Sequence, residues 1–368
     1  MVKSLRSPFL TRTRRETSNE RSGLSPPCPE ISSGVHHYPV GGRLSRFLNF
    51  WQSNVENVWA LDVVENGYSL EFEPPLPPLS TNVIWTQMVG KEELMLSAIQ
   101  EMLAKDAIEV VSPDTPGFYC RFFLVPKKDG GLRPVLNLKP LNKFLRYTRF
   151  RMETNKSILQ LLHKGDWLAS LDLKDAYFHV PILPAHRPYL RFAFQDKVYQ
   201  FKVLPFGIST APRVFTKILA PVVQLIHNQG IQFHPYLDDC LIVAQSKQAL
   251  ANHVQRAVHV LTQAGFLINI KKSHPIPCQD LQFLGMRLQM QTGTIHLPLD
   301  RAQELSRCAS LFQAPCYRSA RLFLRLLGLM AASLLVIPLA RLRMRPIQLY
   351  FLSKWDPKRM SLSDMIMV

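Results

Sequence analysis

Negative charge is scarce in this chain: of 368 residues only 27 are Asp or Glu, against 44 Lys and Arg, a formal net charge of +17. A surface so poor in anions favours phosphate polyanions, because neutralising phosphates releases their condensed counterions. An anionic membrane would call for a basic amphipathic helix or a lipid anchor, and the sequence displays neither. The six cysteines, Cys28, Cys120, Cys240, Cys278, Cys308 and Cys316, make no C-x-x-C pair and have no His at zinc-finger spacing. A structural zinc site and a disulfide framework are therefore unsupported, and a reducing compartment is the default expectation. The basic N-terminus, with Arg6, Arg12, Arg14 and Arg15, lacks the apolar core of a signal peptide. Only residues 326–340 approach membrane hydrophobicity. That run is shorter than a spanning helix, contains Pro338 and is bracketed by Arg321, Arg325, Arg341 and Arg343, so it predicts a buried helix with basic ends.

What is present fits a globular protein: 47% hydrophobic and 19% charged residues, at a length that predicts two or three domain-sized units. Residues 1–42 are basic and Ser/Pro-rich without apolar periodicity and are expected to be disordered. Residues 44–59 regain bulky apolar side chains, enough for a docking helix, before the stiff Pro-rich linker Glu73-Pro74-Pro75-Leu76-Pro77-Pro78. Apolar residues at helical spacing predict a helix over residues 91–105, and a strand follows at residues 122–125. Lys127-Lys128-Asp129-Gly130-Gly131-Leu132-Arg133 reads as a cationic hairpin tip. Residues 167–173 form a buried strand whose two-residue alternation puts Ser170, Asp172 and Lys174 on one face, with Leu171 and Leu173 facing the core. Residues 189–194 and 198–203 make another hairpin. Pro212 opens a helix that Pro221 should kink; residues 248–264 are helical, 282–288 a strand with Gly285 inside it, and 297–355 Arg-rich helices.

The most informative stretch is Tyr236-Leu237-Asp238-Asp239, two adjacent acids between short runs rich in β-branched or aromatic residues. It predicts a β-hairpin with the acids at its tip. Alone, this could be a solvated turn; a bound divalent cation is the more economical explanation for two anions held side by side on an apolar hairpin.

The order of motifs decides between these. The basic hairpin is followed by Asp172-Leu173-Lys174-Asp175-Ala176-Tyr177-Phe178, then Leu204-Pro205-Phe206-Gly207, then Tyr236-Leu237-Asp238-Asp239, then Phe283-Leu284-Gly285. From about residue 91 to 290 the chain closely resembles the reverse transcriptase domain of retroelements, and Gly41-Gly42-Arg43-Leu44 with the Arg-rich helices after Leu322 looks most like the DIRS group of tyrosine-recombinase retrotransposons. The resemblance implies an α+β right-hand polymerase fold: leader and linker 43–79, fingers 80–166, palm 167–290 with an antiparallel sheet, and a helical thumb or connection 291–368.

The same resemblance makes Asp172, Asp238 and Asp239 the catalytic carboxylates, holding two Mg²⁺ ions, with Mn²⁺ not distinguished, and the Leu173 carbonyl completing one shell. It places Lys127 or Lys128, with Arg133, on the triphosphate, and Asp175, Ala176, Tyr177, Phe206 and Gly207 around the nucleotide. Asp175 is expected to orient backbone, and Tyr177 to exclude a 2′-hydroxyl. Phe283-Leu284-Gly285 corresponds to the primer grip, and Lys271 or Lys272 to a general acid for pyrophosphate. The implied partners are an RNA template, a DNA primer, their RNA–DNA hybrid and dNTPs, in cytoplasm or nucleus; oligomeric state is not indicated. The family's polyproteins carry a ribonuclease H domain after the thumb, and only a short tail follows Trp355 here, so the chain is expected to be a fragment or piece of a larger Pol product. Two other readings remain: a catalytically inactive nucleic-acid-binding relic, and an untemplated nucleotidyltransferase, against which the primer grip and Tyr177 argue.

Overall fold

The computed structural model describes residues 3–4, 38–87, 90–126, 132–313 and 315–367, with the side chains of Lys3, Ser4, Pro126 and Arg133 left aside. Six elements build the site, in chain order β1 (Trp167–Asp172), α1 (Ala211–His227), β2 (Gln232–Tyr236), β3 (Asp239–Ala244), α2 (Lys247–Gln263) and β4 (His274–Cys278). The strands make one antiparallel sheet in the order β4-β1-β3-β2.

Both faces of this sheet are covered, which is why β1 and β3 read as near-continuous apolar runs. Along β3, Cys240, Ile242 and Ala244 enter the main core with Ala169 and Leu171 of β1, under α1 and α2. Leu241 and Val243 point the other way and, with Leu168, meet the hairpin of Asp280–Phe283 and Met286–Gln289 and the short helix Asn155–Gln160. Helix α1 buries Val214, Phe215, Ile218, Leu219, Val222, Val223 and Ile226, an amphipathic stripe that anchors it to the sheet, and it runs continuously through Pro221.

A second four-stranded sheet, Trp85–Thr86, Arg191–Phe194, Lys197–Phe201 and Ile108–Val111, and the hairpin Phe122–Pro126/Leu132–Leu136 stand beside the palm with the helix Glu92–Ala104. The C-terminal part packs helices Leu299–Ser310, Ala320–Ala332 and Ala340–Lys354 around Phe323, Phe351 and Ile366. Among the described residues no helix is long and apolar enough to cross a membrane.

Three expectations need correction. Val40, Gly41 and Gly42, assigned to a disordered tail, pack in the core: Val40 is buried, and Gly41 N–H and Gly42 N–H donate to Lys105 O (2.8 Å) and Phe178 O (2.9 Å). Most of the rest of that tail lies outside the described residues. The single strand expected at 282–288 is a hairpin, because Leu284 (φ +45°) and Gly285 (φ +73°) form a two-residue turn of the kind that needs positive φ at both positions. The helix expected over 326–340 is broken: one helix stops at Ala332, Ser333 Oγ bonds back to Met330 O, and the next begins after Leu339 (φ +56°), just past Pro338.

Candidate active site

The acids gather where β1 ends and β3 begins. The antiparallel register sets Asp172 directly opposite Asp239. Leu173 N–H donates to the Asp238 carbonyl at 2.8 Å, while Asp172 directs its own backbone to the other side, its N–H to Ser273 Oγ (3.0 Å) and its carbonyl to Asn269 N–H (2.8 Å). Asp172 and Asp239 are thus a non-hydrogen-bonded pair, the closer kind, with Cα atoms roughly 4.5 Å apart. Counting by two along each strand puts both on the face of Leu168, Leu241 and Val243, at its open end, where each is half-buried.

Asp238 lies in the two-residue turn from β2 to β3. Leu237 has φ +56° and Asp238 does not share the positive φ, the sign pattern of a II′ turn, whose first position ordinarily takes glycine. A leucine held there stores on the order of 1–3 kcal/mol of strain, maintained by the paired strands on either side.

Electrostatically the cluster is under-compensated. Burial, then the neighbouring Asp238 and Asp172 charges, push the Asp239 carboxyl up to about 6 against the pull of Lys272. Burial also raises Asp172, opposed by Lys272 and a hydrogen bond from Asn269, with Asp238 and Asp175 adding to the rise. An oxygen-only, anionic and half-buried donor set suits a hard divalent cation. Among the described residues no three His, Cys, Asp or Glu side chains are yet gathered closely enough to hold an ion as they stand. The backbone register already sets Asp172 and Asp239 opposite each other.

In front of the acids opens a cleft of about 620 Å³, lined by Asp172 to Phe178, Phe206, Leu237, Asp238, Asn269 and Lys272, with Leu132 and Pro134 of the fingers hairpin. Tyr177 is on the short 3₁₀ turn Ala176–His179; its ring packs on Phe206 and Phe215 with centroids 5.1 and 5.7 Å away. Burial, with Asp238 adding, pushes its phenol up to about 12, so it stays neutral. Asp175 adopts φ +49°, pairs with Lys105 Nζ at 3.0 Å and gives its carbonyl to Phe178 N–H. Lys105 also meets Glu101 at 2.8 Å; although burial opposes its charge, these two carboxylates raise its pKa.

The remaining predicted residues divide. Leu173 and Ala176 line the cleft, and so does Lys272, whereas Lys271 does not. Gly207 (φ +100°) makes its close approach to the Leu136 carbonyl, and its own carbonyl accepts from Asn142. Phe283 is buried beneath the sheet, and Gly285 abuts Arg301 so tightly that a Cβ would come within 2.3 Å of its guanidinium. Phe283, Leu284 and Gly285 are not among the cleft-lining residues. Lys127 and Lys128 fall outside the described residues, and of Arg133 only its place on the strand Leu132–Leu136 is described. Sequence reasoning missed Asn269, Ser273 and Lys105, which hold Asp172 and Asp175 from elements distant in the chain. The one local signal, for Asn269 and Ser273, was the polar stretch that begins at Asn269 after the apolar residues 266–268.

Residues 125–288 match the family model described as reverse transcriptase (RNA-dependent DNA polymerase). The genome polyprotein of Petunia vein clearing virus is 30% identical over 203 residues, covering 54% of this chain and 9% of that polyprotein. The Tf2-3 transposon polyprotein of Schizosaccharomyces pombe is 30% identical over 229 residues, 62% of this chain and 16% of the relative. The chain thus spans a small part of these relatives' length. Among solved structures, the foamy viral protease-reverse transcriptase in complex with an RNA/DNA hybrid superposes with a TM-score of 0.61 at 18% identity, over 86% of this chain and 44% of that one. A form of the same viral protein in complex with double-stranded DNA gives 0.62 at 18% identity, over 86% and 58%.

Proposed function

We infer that the reverse transcriptase domain carried by residues 125–288 is a working RNA-directed DNA polymerase that extends a primer 3′-hydroxyl with dNTPs. The observation that carries this is the cross-strand pairing of Asp172 with Asp239, with Asp172 and Asp238 lining an open cleft. Asp172, Asp238 and Asp239 would hold two divalent cations, Mg²⁺ or Mn²⁺, which when bound supply Lewis-acid activation of the primer hydroxyl and charge neutralisation on the leaving pyrophosphate. Leu173, whose carbonyl would complete one ion's shell, lines the same cleft. Lys272 is near enough to lower the pKa of both Asp172 and Asp239 and is the better placed of the two lysines to deliver a proton to pyrophosphate. The Tyr177 ring, braced by Phe206 and Phe215, is a rigid platform on which a 2′-hydroxyl would collide, selecting deoxynucleotides. Lys127 or Lys128, with Arg133, meets the triphosphate, and Phe283-Leu284-Gly285 supports the primer end from beneath the sheet.

Template and product follow from the positive charge and from the nucleic acids bound by the foamy viral proteins. The leader motif Gly41-Gly42-Arg43-Leu44 and the Arg-rich C-terminal helices place the chain, in our reading, with the DIRS group.

Purified protein given an RNA template, a DNA primer, Mg²⁺ and dNTPs tests this. Template-dependent extension that Asp238→Asn abolishes is the expected result. Tight binding without extension would leave only a nucleic-acid-binding relic, and untemplated tailing would mean a different nucleotidyltransferase. In the same assay Tyr177→Ala should admit ribonucleotides; unchanged discrimination would remove Tyr177 from the gate.

A further inference from the structure

Arg43 is 1% exposed. Burying a guanidinium is costly unless its donors are matched, and Arg43 commits Nε to the Gly265 carbonyl at 3.0 Å and Nη1 to the Tyr38 carbonyl at 2.7 Å, with Phe47 under its plane at 5.1 Å. Trp51, fully buried, repeats the pattern one residue earlier, donating Nε1 to the Ala264 carbonyl at 3.0 Å. Gly265 (φ +93°) lies so near the Phe47 ring that a Cβ would come within 2.7 Å of it. The leader therefore grips the end of α2 through two carbonyls and a glycine.

That grip continues into the acids. The segment running on from Gly265 donates Leu267 N–H to His179 Nε2 (3.0 Å), accepts Lys174 N–H at the Leu267 carbonyl (2.8 Å) and donates Asn269 N–H to the Asp172 carbonyl (2.8 Å). At its other end the leader passes Gly41 against the turn after the fingers helix, where a Cβ would meet the Asp106 carbonyl at 2.1 Å. Residues 38–66 lie outside the stretch 125–288, so the core domain alone does not account for this brace.

We propose that Arg43 is a positioning residue for Asp172: by clamping the Gly265 carbonyl it holds residues 264–269 in the register that supplies the backbone partners of Asp172 and Lys174. The proposal rests on the acid cluster being the active centre only for its consequence in turnover. The geometric claim is tested without turnover, by amide hydrogen exchange in the full 368-residue chain. Arg43→Gln should speed exchange at Lys174 and Asn269 by about tenfold or more, the scale of a lost hydrogen bond to a charged group, while Val243 in β3 exchanges as before. Trp51→Phe should act on the same amides more weakly, and Arg43→Lys, which keeps one charged donor for Gly265, should restore most of the protection. Mn²⁺ affinity read by electron paramagnetic resonance should fall in parallel. Unchanged exchange at Lys174 and Asn269 in a folded variant, or a uniform rise that includes Val243, would overturn the proposal. If Arg43→Gln does not fold, Trp51→Phe carries the same test: faster exchange at Lys174 and Asn269 with Val243 unchanged supports the proposal, and unchanged exchange overturns it. Failure of wild-type extension, by contrast, would strike the polymerase assignment and leave the exchange result standing.

Discussion

At the open end of the palm, burial and then the neighbouring Asp238 and Asp172 charges push the Asp239 carboxyl up to about 6, whereas on the sealed side His179 is fully buried and pushed down to about 4, mainly by burial. The two groups differ in how their partners are supplied. His179 has both ring nitrogens placed by the chain itself, Nδ1 against the Ala176 carbonyl at 3.1 Å and Nε2 accepting from Leu267 N–H, and so rests as the neutral imidazole. The acids have backbone anchors but too little positive charge. A fold bears such frustration where a ligand relieves it, which supports the proposal that the front of the palm is the working face.

The sharpest way to break the contrast is to remove charge from each side. Asp172→Asn should abolish primer extension, yet in metal-free buffer at neutral pH it should leave the protein as stable as wild type or more so, because one repelling charge is gone. A large loss of stability with Asp172→Asn, measured by urea unfolding, would mean that the acid is a structural partner and not a frustrated one.

Next in size are the opposing pH slopes. The unfolded chain protonates His near 6.5 and the folded chain near 4, so His179 makes stability fall as pH drops through that window, by on the order of 3 kcal/mol. Asp239 has the opposite sign: its folded pKa lies above the ordinary 3.8, so stability falls as pH rises from about 4 to about 6, by about 1–2 kcal/mol after allowance for its partial exposure. In the wild type the two partly cancel. Asp239→Asn should steepen the loss of stability between pH 6.5 and 4, and His179→Gln should flatten or reverse it, both read from urea midpoints across pH in EDTA. Parallel curves for all three proteins would dissolve the comparison.

A smaller effect comes from the missing charge itself. Millimolar Mg²⁺ should raise the unfolding free energy of wild type at pH 7, read from urea unfolding, by about 2.7 kcal/mol if the concentration is a hundred times Kd, and should do little for Asp239→Asn. The smallest concerns the turn. Leu237→Gly should relieve backbone strain and add about 1 kcal/mol, less the entropy a glycine loses on folding. A clear loss of stability would show that the side chain is worth more than the strain.

Much of this was legible in the sequence because it is local. The hairpin at Asp238-Asp239, the helices α1 and α2 and the alternation along β1 follow from apolar spacing, and they lie within a residue or two of where they were expected. The failures were local too, but ambiguous. A glycine inside residues 282–288 looks the same in a strand as in a two-residue turn. The pair Gly41-Gly42 reads as flexible when unpartnered, and as a permit for close backbone approach once the Lys105–Asp106 turn is against it. An apolar run such as 326–340 does not announce the turn that Leu339 makes within it.

By itself the sequence determined which carboxylates exist, which face of its strand Asp172 occupies and how little negative charge surrounds them, since parity along a strand and composition need no partner. Only the tertiary structure decided that Asp172 faces Asp239, that Asn269 and Ser273 hold Asp172 from behind and that Arg43 bonds the Gly265 carbonyl at the start of the Asn269 segment. These are contacts between stretches far apart in the chain, and antiparallel register and burial, which create them, are properties of the assembled sheet and not of any strand alone.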